Sequence, residues 1–175
     1  IIEKYINRGL INEKSDNIFT DKFLDNFFFI GLIREIFPRA KIINCRRDPL
    51  ASIMSILKNN LGDVTWAHDV KHIFEFFYIY YKKIEKFKKI HPNFIYDLQI
   101  EEFVSKPENE SKKLMKFCEL SWNKKCLEFY KRKDLISKTA SNIQIREPIY
   151  KHPLDKYLPY KEFLYKYGKK YLWFN

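Results

Sequence analysis

The segment Lys41-Ile-Ile-Asn-Cys-Arg-Arg-Asp-Pro-Leu-Ala-Ser-Ile-Met-Ser55 constrains the fold more than any other part of the chain. A short isoleucine-rich run reads as a buried strand, two arginines and Asp48-Pro49 end it, and an amphipathic helical pattern follows. Asp48 is placed to cap that helix, with Pro49 in its first turn. This order sets a guanidinium at the carboxyl end of a strand, against the amino end of a helix. Oxyanions bind at such a place, because arginine presents a planar fork of donors and a helix start adds partial positive charge and free N–H groups. Arg47 ranks above Arg46, which points to the opposite face if the strand alternation continues. Ser55, two turns into the helix, offers a hydroxyl to the same anion. The alternative is an arginine paired with a carboxylate and a serine inside a helix, and the residues alone do not separate the two.

The remaining pattern is one of strands alternating with helices. Ile18-Phe19-Thr20 reads as a short strand, Phe23 to Phe37 as a helix stopped by Pro38, and the helix after Asp48 as running to Asn60. Trp66, Val70, Ile73, Phe77, Tyr80, Ile84 and Phe87 recur at alternating spacings of four and three, which is a long amphipathic helix ending near His91-Pro92. Such an aromatic stripe is read as core rather than as a stacking platform for bases. Phe94-Ile-Tyr96 is a further strand. Ser105-Lys-Pro-Glu108 resembles a capping box opening a helix to about Leu120. Lys124 to Tyr130 reads as helical, Leu135 to Pro159 as extended or looped, and Tyr160 to Tyr171 as a closing helix. The fold class is α/β, a three-layer parallel sheet with helices on both faces, whose ligands sit at the carboxyl ends of the strands. Lys22 and Arg47 both follow strands in this reading, so both are expected to face one site.

At 175 residues the chain suits one domain, and 46% hydrophobic with 31% charged residues is ordinary for a globular protein. No apolar run approaches the roughly 18–20 residues that a membrane span requires. The net charge of +11 allows a polyanionic partner, nucleic acid or a phosphorylated cofactor. The abundance of Lys, Ile, Asn, Phe and Tyr together reads more simply as the compositional bias of AT-rich coding. Cys45, Cys118 and Cys126 are odd in number and form no Cys-x-x-Cys pair, so reduced, mostly buried thiols are expected rather than a disulfide framework or a zinc site. Asn109-Glu-Ser111 fits the glycosylation acceptor pattern, with no other sign of a secretory route.

Lys22 can neutralise charge on a leaving oxygen during phosphoryl or sulfuryl transfer, reactions that need positioning and positive charge more than covalent help. Its plainer reading is a solvated surface lysine. The polar loop Thr139 to Tyr150 carries Ser141, Asn142, Gln144 and Arg146, donors of the sort that close over a ligand. His68 and His72 are four apart, but no third ligand is evident, and no metal is expected.

Thr20-Asp-Lys22, Gly31-Leu-Ile33, Phe37-Pro-Arg-Ala-Lys-Ile-Ile43, Arg46-Arg-Asp-Pro49, Ser55, Phe117-Cys-Glu-Leu-Ser-Trp122, Cys126-Leu-Glu-Phe129, Thr139-Ala-Ser141 and Gln144-Ile-Arg-Glu-Pro-Ile-Tyr150 occur in that order. Together they resemble the bacterial sulfotransferases associated with tetratricopeptide repeats, which are similar to tyrosylprotein sulfotransferases. The resemblance implies a fold akin to the P-loop kinases. It also implies 3′-phosphoadenosine 5′-phosphosulfate (PAPS) as sulfuryl donor, a hydroxyl or phenol acceptor such as protein tyrosine, and no metal. By motif match, Arg47 and Ser55 hold the 3′-phosphate, and Lys22 stabilises the bridging oxygen. Ser141 orients Lys22 or touches the nucleotide. Asn142, Gln144 and Arg146 belong to a loop over the nucleotide, and Lys156 is a later basic position near the donor.

The chain departs from that pattern. The amino-terminal strand, its Gly-Ser-Thr-rich phosphosulfate loop and a catalytic glutamate are not found in it. Residues 1–175 are therefore read as the carboxyl-terminal part of a single sulfotransferase domain, inactive alone. Lys-x-Pro-x-Asn reads Lys22-Phe-Leu-Asp-Asn26, without the proline. Tyr-Glu-x-Leu-Val reads Ile100-Glu-Glu-Phe-Val104, without the tyrosine, and Tyr157 replaces a tryptophan after Lys156. The resemblance implies a cytoplasmic bacterial enzyme, or a Golgi enzyme if it is of the tyrosylprotein type. The competing readings are a basic nucleic-acid-binding module, on the strength of the charge and the aromatics, and another phosphate-transfer enzyme of similar fold.

Overall fold

The computed structural model describes residues 18–59, 61–132, 146–149 and 154–174. After residues 18–23, which form no regular element, a 3-10 segment Leu24–Phe29 leads into helix α1, Ile30–Ile36. Strand β1 is Ile42–Arg46, helix α2 Pro49–Asn59, helix α3 Val70–Ile90 and strand β2 Ile95–Gln99. Helices α4, Ile100–Ser105, and α5, Pro107–Phe117, follow directly. Short 3-10 segments Lys124–Leu127, Phe129–Lys131 and Leu154–Tyr160 precede helix α6, Lys161–Gly168, and the turn Leu172–Phe174. Among the described residues the sheet is β1 paired parallel to β2, Ile42 against Ile95 through Arg46 against Gln99. The chain is thus mostly helical around a small parallel sheet. No helix among the described residues is long and apolar enough to cross a membrane.

Helix α3 organises the interior, because its apolar stripe reaches two clusters. At its amino half, Ile73 and Phe74 meet Leu50, Ile53 and Met54 of α2 together with Leu164 and Tyr171. At its carboxyl half, Ile84 meets Phe27, Ile30 and Ile95. Phe74 is wholly buried, with Tyr171, Trp173 and Phe174 each within 6.0 Å of it, centroid to centroid. Burying such a ring contributes roughly 1.5–3 kcal/mol. The closing turn fits because residue 168 is glycine: a Cβ there would lie 2.5 Å from the Phe174 ring.

A polar cluster lies between α3 and the two strands. Asn44 is buried and faces Asp97 across the pair. Asn44 Nδ2 donates to Asp97 Oδ1 at 2.8 Å, and Tyr80 Oη donates to Asn44 Oδ1 at 2.7 Å. Lys88 Nζ reaches Asp97 Oδ2 at 2.6 Å and Arg46 reaches it at 3.5 Å. Burial pushes the Tyr80 phenol up to about 12, so it stays a proton donor. Burial also raises the Asp97 carboxyl, but the bonds from Lys88 and Asn44 and the charges of Lys88 and Arg46 outweigh it, and the net shift is downward.

The structure corrects several expectations. Ile18-Phe19-Thr20 is not a strand: the sheet of the described residues is β1 and β2 alone. Trp66 precedes α3, in a separate 3-10 segment Thr65–His68, and still stacks on Phe76. Ser105 ends α4 instead of capping α5; Pro107 occupies the first turn, so Lys106 takes the cap position without a side-chain bond. Leu154–Tyr160 is helical, within a stretch read as loop. All three cysteines are free, but Cys45 and Cys126 are exposed and Cys118 half-buried. Cys45 is exposed because strand alternation turns it away from the face on which Asn44 meets α3. Ser111 of the glycosylation pattern is buried in α5, donating to the Glu108 carbonyl and accepting from Trp122 Nε1.

A carboxyl whose folded pKa lies below its unfolded value contributes stability that is complete above the unfolded value and vanishes as pH falls through the folded one. Asp97→Asn is therefore expected to lower the urea midpoint at neutral pH. It should also flatten the loss of stability below about pH 5, read as midpoint against pH for both proteins. Gly168→Ala should displace the Phe174 ring and cost about 1–3 kcal/mol, measured by denaturant unfolding.

Candidate functional site

The two strands end level, at Arg46 and Gln99. From there the chain enters Arg47-Asp48 and α2 on one side, and α4 on the other. Glu101 ties the two exits together: Oε1 accepts from the Asp48 backbone N–H at 2.8 Å and Oε2 accepts from Gln99 Nε2. Asp48 caps α2 as the sequence implies, with Oδ1 accepting from the Ala51 N–H at 2.7 Å. One expectation changes here. Pro49 has no N–H, and those of Asp48 and Ala51 are already bonded, so this helix start has few backbone donors left for an anion. The cationic side chain must supply most of the attraction.

Adjacent arginines have different surroundings. Arg46 lies on the α3 face, bonded to Asp97 and 5.5 Å above the Tyr81 ring. Arg47 is half-buried just past the end of β1, and among the described residues no carboxylate pairs with it. Ser55 is half-buried on α2. Its position shares a stripe with Asp48, Ser52 and Asn59, opposite the buried Leu50, Ala51, Ile53 and Met54. Asn59 Nδ2 donates to the Ser55 carbonyl at 2.8 Å and to its Oγ at 3.2 Å. The Ser55 hydroxyl accepts that bond and keeps its own proton to donate.

Lys22 is exposed in the stretch ahead of Leu24–Phe29, and among the described residues no hydrogen bond or ion pair joins it to Arg47 or Ser55. That stretch starts with the Phe19 ring 5.9 Å from Phe37, just past the carboxyl end of α1. Lys22 lies three residues further on, shortly before the chain turns back through Leu24–Phe29 into α1. The backbone of Lys156 belongs to Leu154–Tyr160, which packs across α2. Tyr157 there joins the α2–α3 cluster; burial raises its phenol pKa and the charge of Asp48 adds to the shift. Arg146 is exposed. Ser141, Asn142 and Gln144 lie outside the described residues.

Sequence reasoning missed Glu101 and the Asn44–Asp97 pair. A glutamate in the first turn of a helix that follows a strand was the available sign of the first. A polar residue inside an isoleucine run was the sign of the second. His68 and His72 fall in different elements, with Asp69 capping α3 through the His72 N–H at 3.1 Å. Among the described residues no three acidic, histidine or cysteine side chains group as metal ligands. Glu101→Ala leaves the Asp48 N–H without its acceptor. It should cost about 1–3 kcal/mol in denaturant unfolding, more than Glu102→Ala on the exposed side of the same helix.

The sequence profile of the sulfotransferase family matches residues 3–124. An uncharacterized protein of Aquifex aeolicus strain VF5 is 34% identical over 148 residues, which are 82% of this chain and 19% of that protein. The chain thus spans about a fifth of the relative that it matches. On the family match, and on a strand–Arg-Asp-Pro–helix unit that presents an arginine without an acidic partner among the described residues, the chain belongs to the sulfotransferase family.

Proposed function

We propose that this chain carries the nucleotide-holding part of a sulfuryl transferase whose donor is PAPS and whose acceptor is a hydroxyl or phenol, with protein tyrosine among the acceptors the resemblance implies. The observation that carries the reading is Arg47: a half-buried guanidinium at the end of a parallel strand, beside a helix whose exposed stripe offers the Ser55 hydroxyl. A buried or half-buried arginine without a carboxylate is suited to an anion from solution, and a phosphate matches its fork of donors. Bound there, PAPS would supply an activated sulfuryl group on a phosphate leaving group.

In this reading Arg47 and Ser55 hold the 3′-phosphate and so position the nucleotide. Lys22 sets an ammonium at the bridging oxygen, where negative charge grows as the S–O bond breaks. Attack by the acceptor oxygen is in line, and fixed positive charge takes the place of a metal. Ser141 orients Lys22 or touches the nucleotide. Asn142, Gln144 and Arg146 close over it, and Lys156 adds charge from the segment lying on α2. The full fold is proposed as a three-layer, P-loop-kinase-like sheet to which β1 and β2 contribute neighbouring strands.

The stripe of α3 offers the nucleic-acid reading no stacking platform, because it is spent in the core: Ile73 and Phe74 are wholly buried, and Phe77 packs against them. Binding of adenosine 3′,5′-bisphosphate and adenosine 5′-phosphate to the intact protein tests the reading. The wild type should prefer the bisphosphate. Arg47→Ala should cut that preference roughly 10- to 100-fold, the worth of one or two hydrogen bonds to a charged group. An unchanged preference would remove Arg47 from the site. In the same protein Lys22→Ala should lower kcat about 100- to 1,000-fold, with the affinity for the bisphosphate nearly unchanged.

A further inference from the structure

The carboxyl-terminal unit has two opposed faces. Leu164, Gly168 and Tyr171 are buried, and the Phe174 ring folds over Gly168. Away from them, Lys161 and Tyr165 of α6 and Lys169, just past its end, follow one another at i, i+4 and i+8. With Glu162 and Lys166 they line an open groove of about 590 Å³. Lys161 Nζ lies 5.5 Å from the Tyr165 ring centre. Beyond the helix, Lys170 is exposed, and Leu172 stands at 92% exposure at the tip of the turn. From residue 161 to 174 there are four lysines and one glutamate.

We propose that this face of α6 and the turn after it dock on the surface of an anionic phospholipid bilayer. The proposal stands independently of the donor reading above. Each part of the face has a place at such a boundary. Lysines reach phosphate and carboxylate head groups while their methylene stems lie along apolar surface. Tyrosine rings favour the head-group level, with the ring inward and the hydroxyl wet. Leu172 enters the acyl boundary, as the apolar side of an interfacial helix does. The leucine decides against nucleic acid, whose phosphates and base faces offer nothing to an extruded aliphatic side chain. The surplus of lysine decides against a second copy of this chain, because a two-fold contact would set like charges together.

The test uses the intact protein and flotation with two kinds of vesicle, phosphatidylcholine alone and phosphatidylcholine containing phosphatidylserine. Binding is expected to the second and not to the first. Lys169→Glu combined with Lys170→Glu should weaken it more than about tenfold, since each lysine near such a surface is worth roughly a factor of five. Leu172→Asp should weaken it about tenfold or more. These side chains are exposed, so the variants should keep the wild-type circular dichroism and unfolding midpoint. No partition to phosphatidylserine vesicles would overturn the proposal. So would lysine-dependent binding that Leu172→Asp leaves intact, which would mark a purely electrostatic site such as one for nucleic acid. Self-association that both variants abolish, in place of vesicle binding, would overturn it too.

Discussion

The hydrogen bond between Asn44 and Asp97 is the contact on which the rest of the site depends. A parallel pair of strands slipped by one residue would turn every side chain to the wrong face. Here the register is marked by polar groups that meet one another: Asn44 faces Asp97, and Tyr80, Lys88 and Arg46 complete the set. A buried amide or carboxylate left without these bonds costs far more than an apolar mismatch. The consequence appears at the strand ends. Because Arg46 and Gln99 finish level, Asp48 and Glu101 come within hydrogen-bonding distance, and the exits toward α2 and α4 are fastened to each other.

That fastening explains how two neighbouring arginines come to differ. Arg46 is spent on structure, in contact with Asp97 and over Tyr81. Arg47, one residue on, has left the sheet and lies beside the start of α2, where the backbone donors are largely taken by Glu101 and Asp48. The positive charge at this end of the sheet is therefore carried by a side chain more than by the helix. This suits recognition of a terminal phosphate through a planar fork. It also makes the site sensitive to one residue.

What the sequence revealed, and what it hid, follows from how local each signal is. The β1–α2 unit was legible because Asp48-Pro49 punctuates it and Asp48 caps as its chemistry requires. Helix α3 was legible from the spacing of its apolar residues, and its core role from their aromatic character. Lys22 follows a strand only in the sequence pattern, because three apolar residues do not by themselves say whether a segment joins a sheet. Helix α4 was missed because six residues carry too little periodicity. The boundary between α4 and α5 was misread because Ser105 looked like a cap while Pro107 set the actual first turn. Asn44 and Glu101 act across the sheet, on residues more than fifty positions away. Nothing local announces such partners.

The account is tested most directly by a crystal structure of the intact protein with adenosine 3′,5′-bisphosphate. It predicts the 3′-phosphate within hydrogen-bonding distance of both the Arg47 guanidinium and the Ser55 hydroxyl, beside the carboxyl end of β1, with Lys22 facing the 5′ side of the nucleotide. A nucleotide seated elsewhere, or a 3′-phosphate held by neither residue, would contradict it.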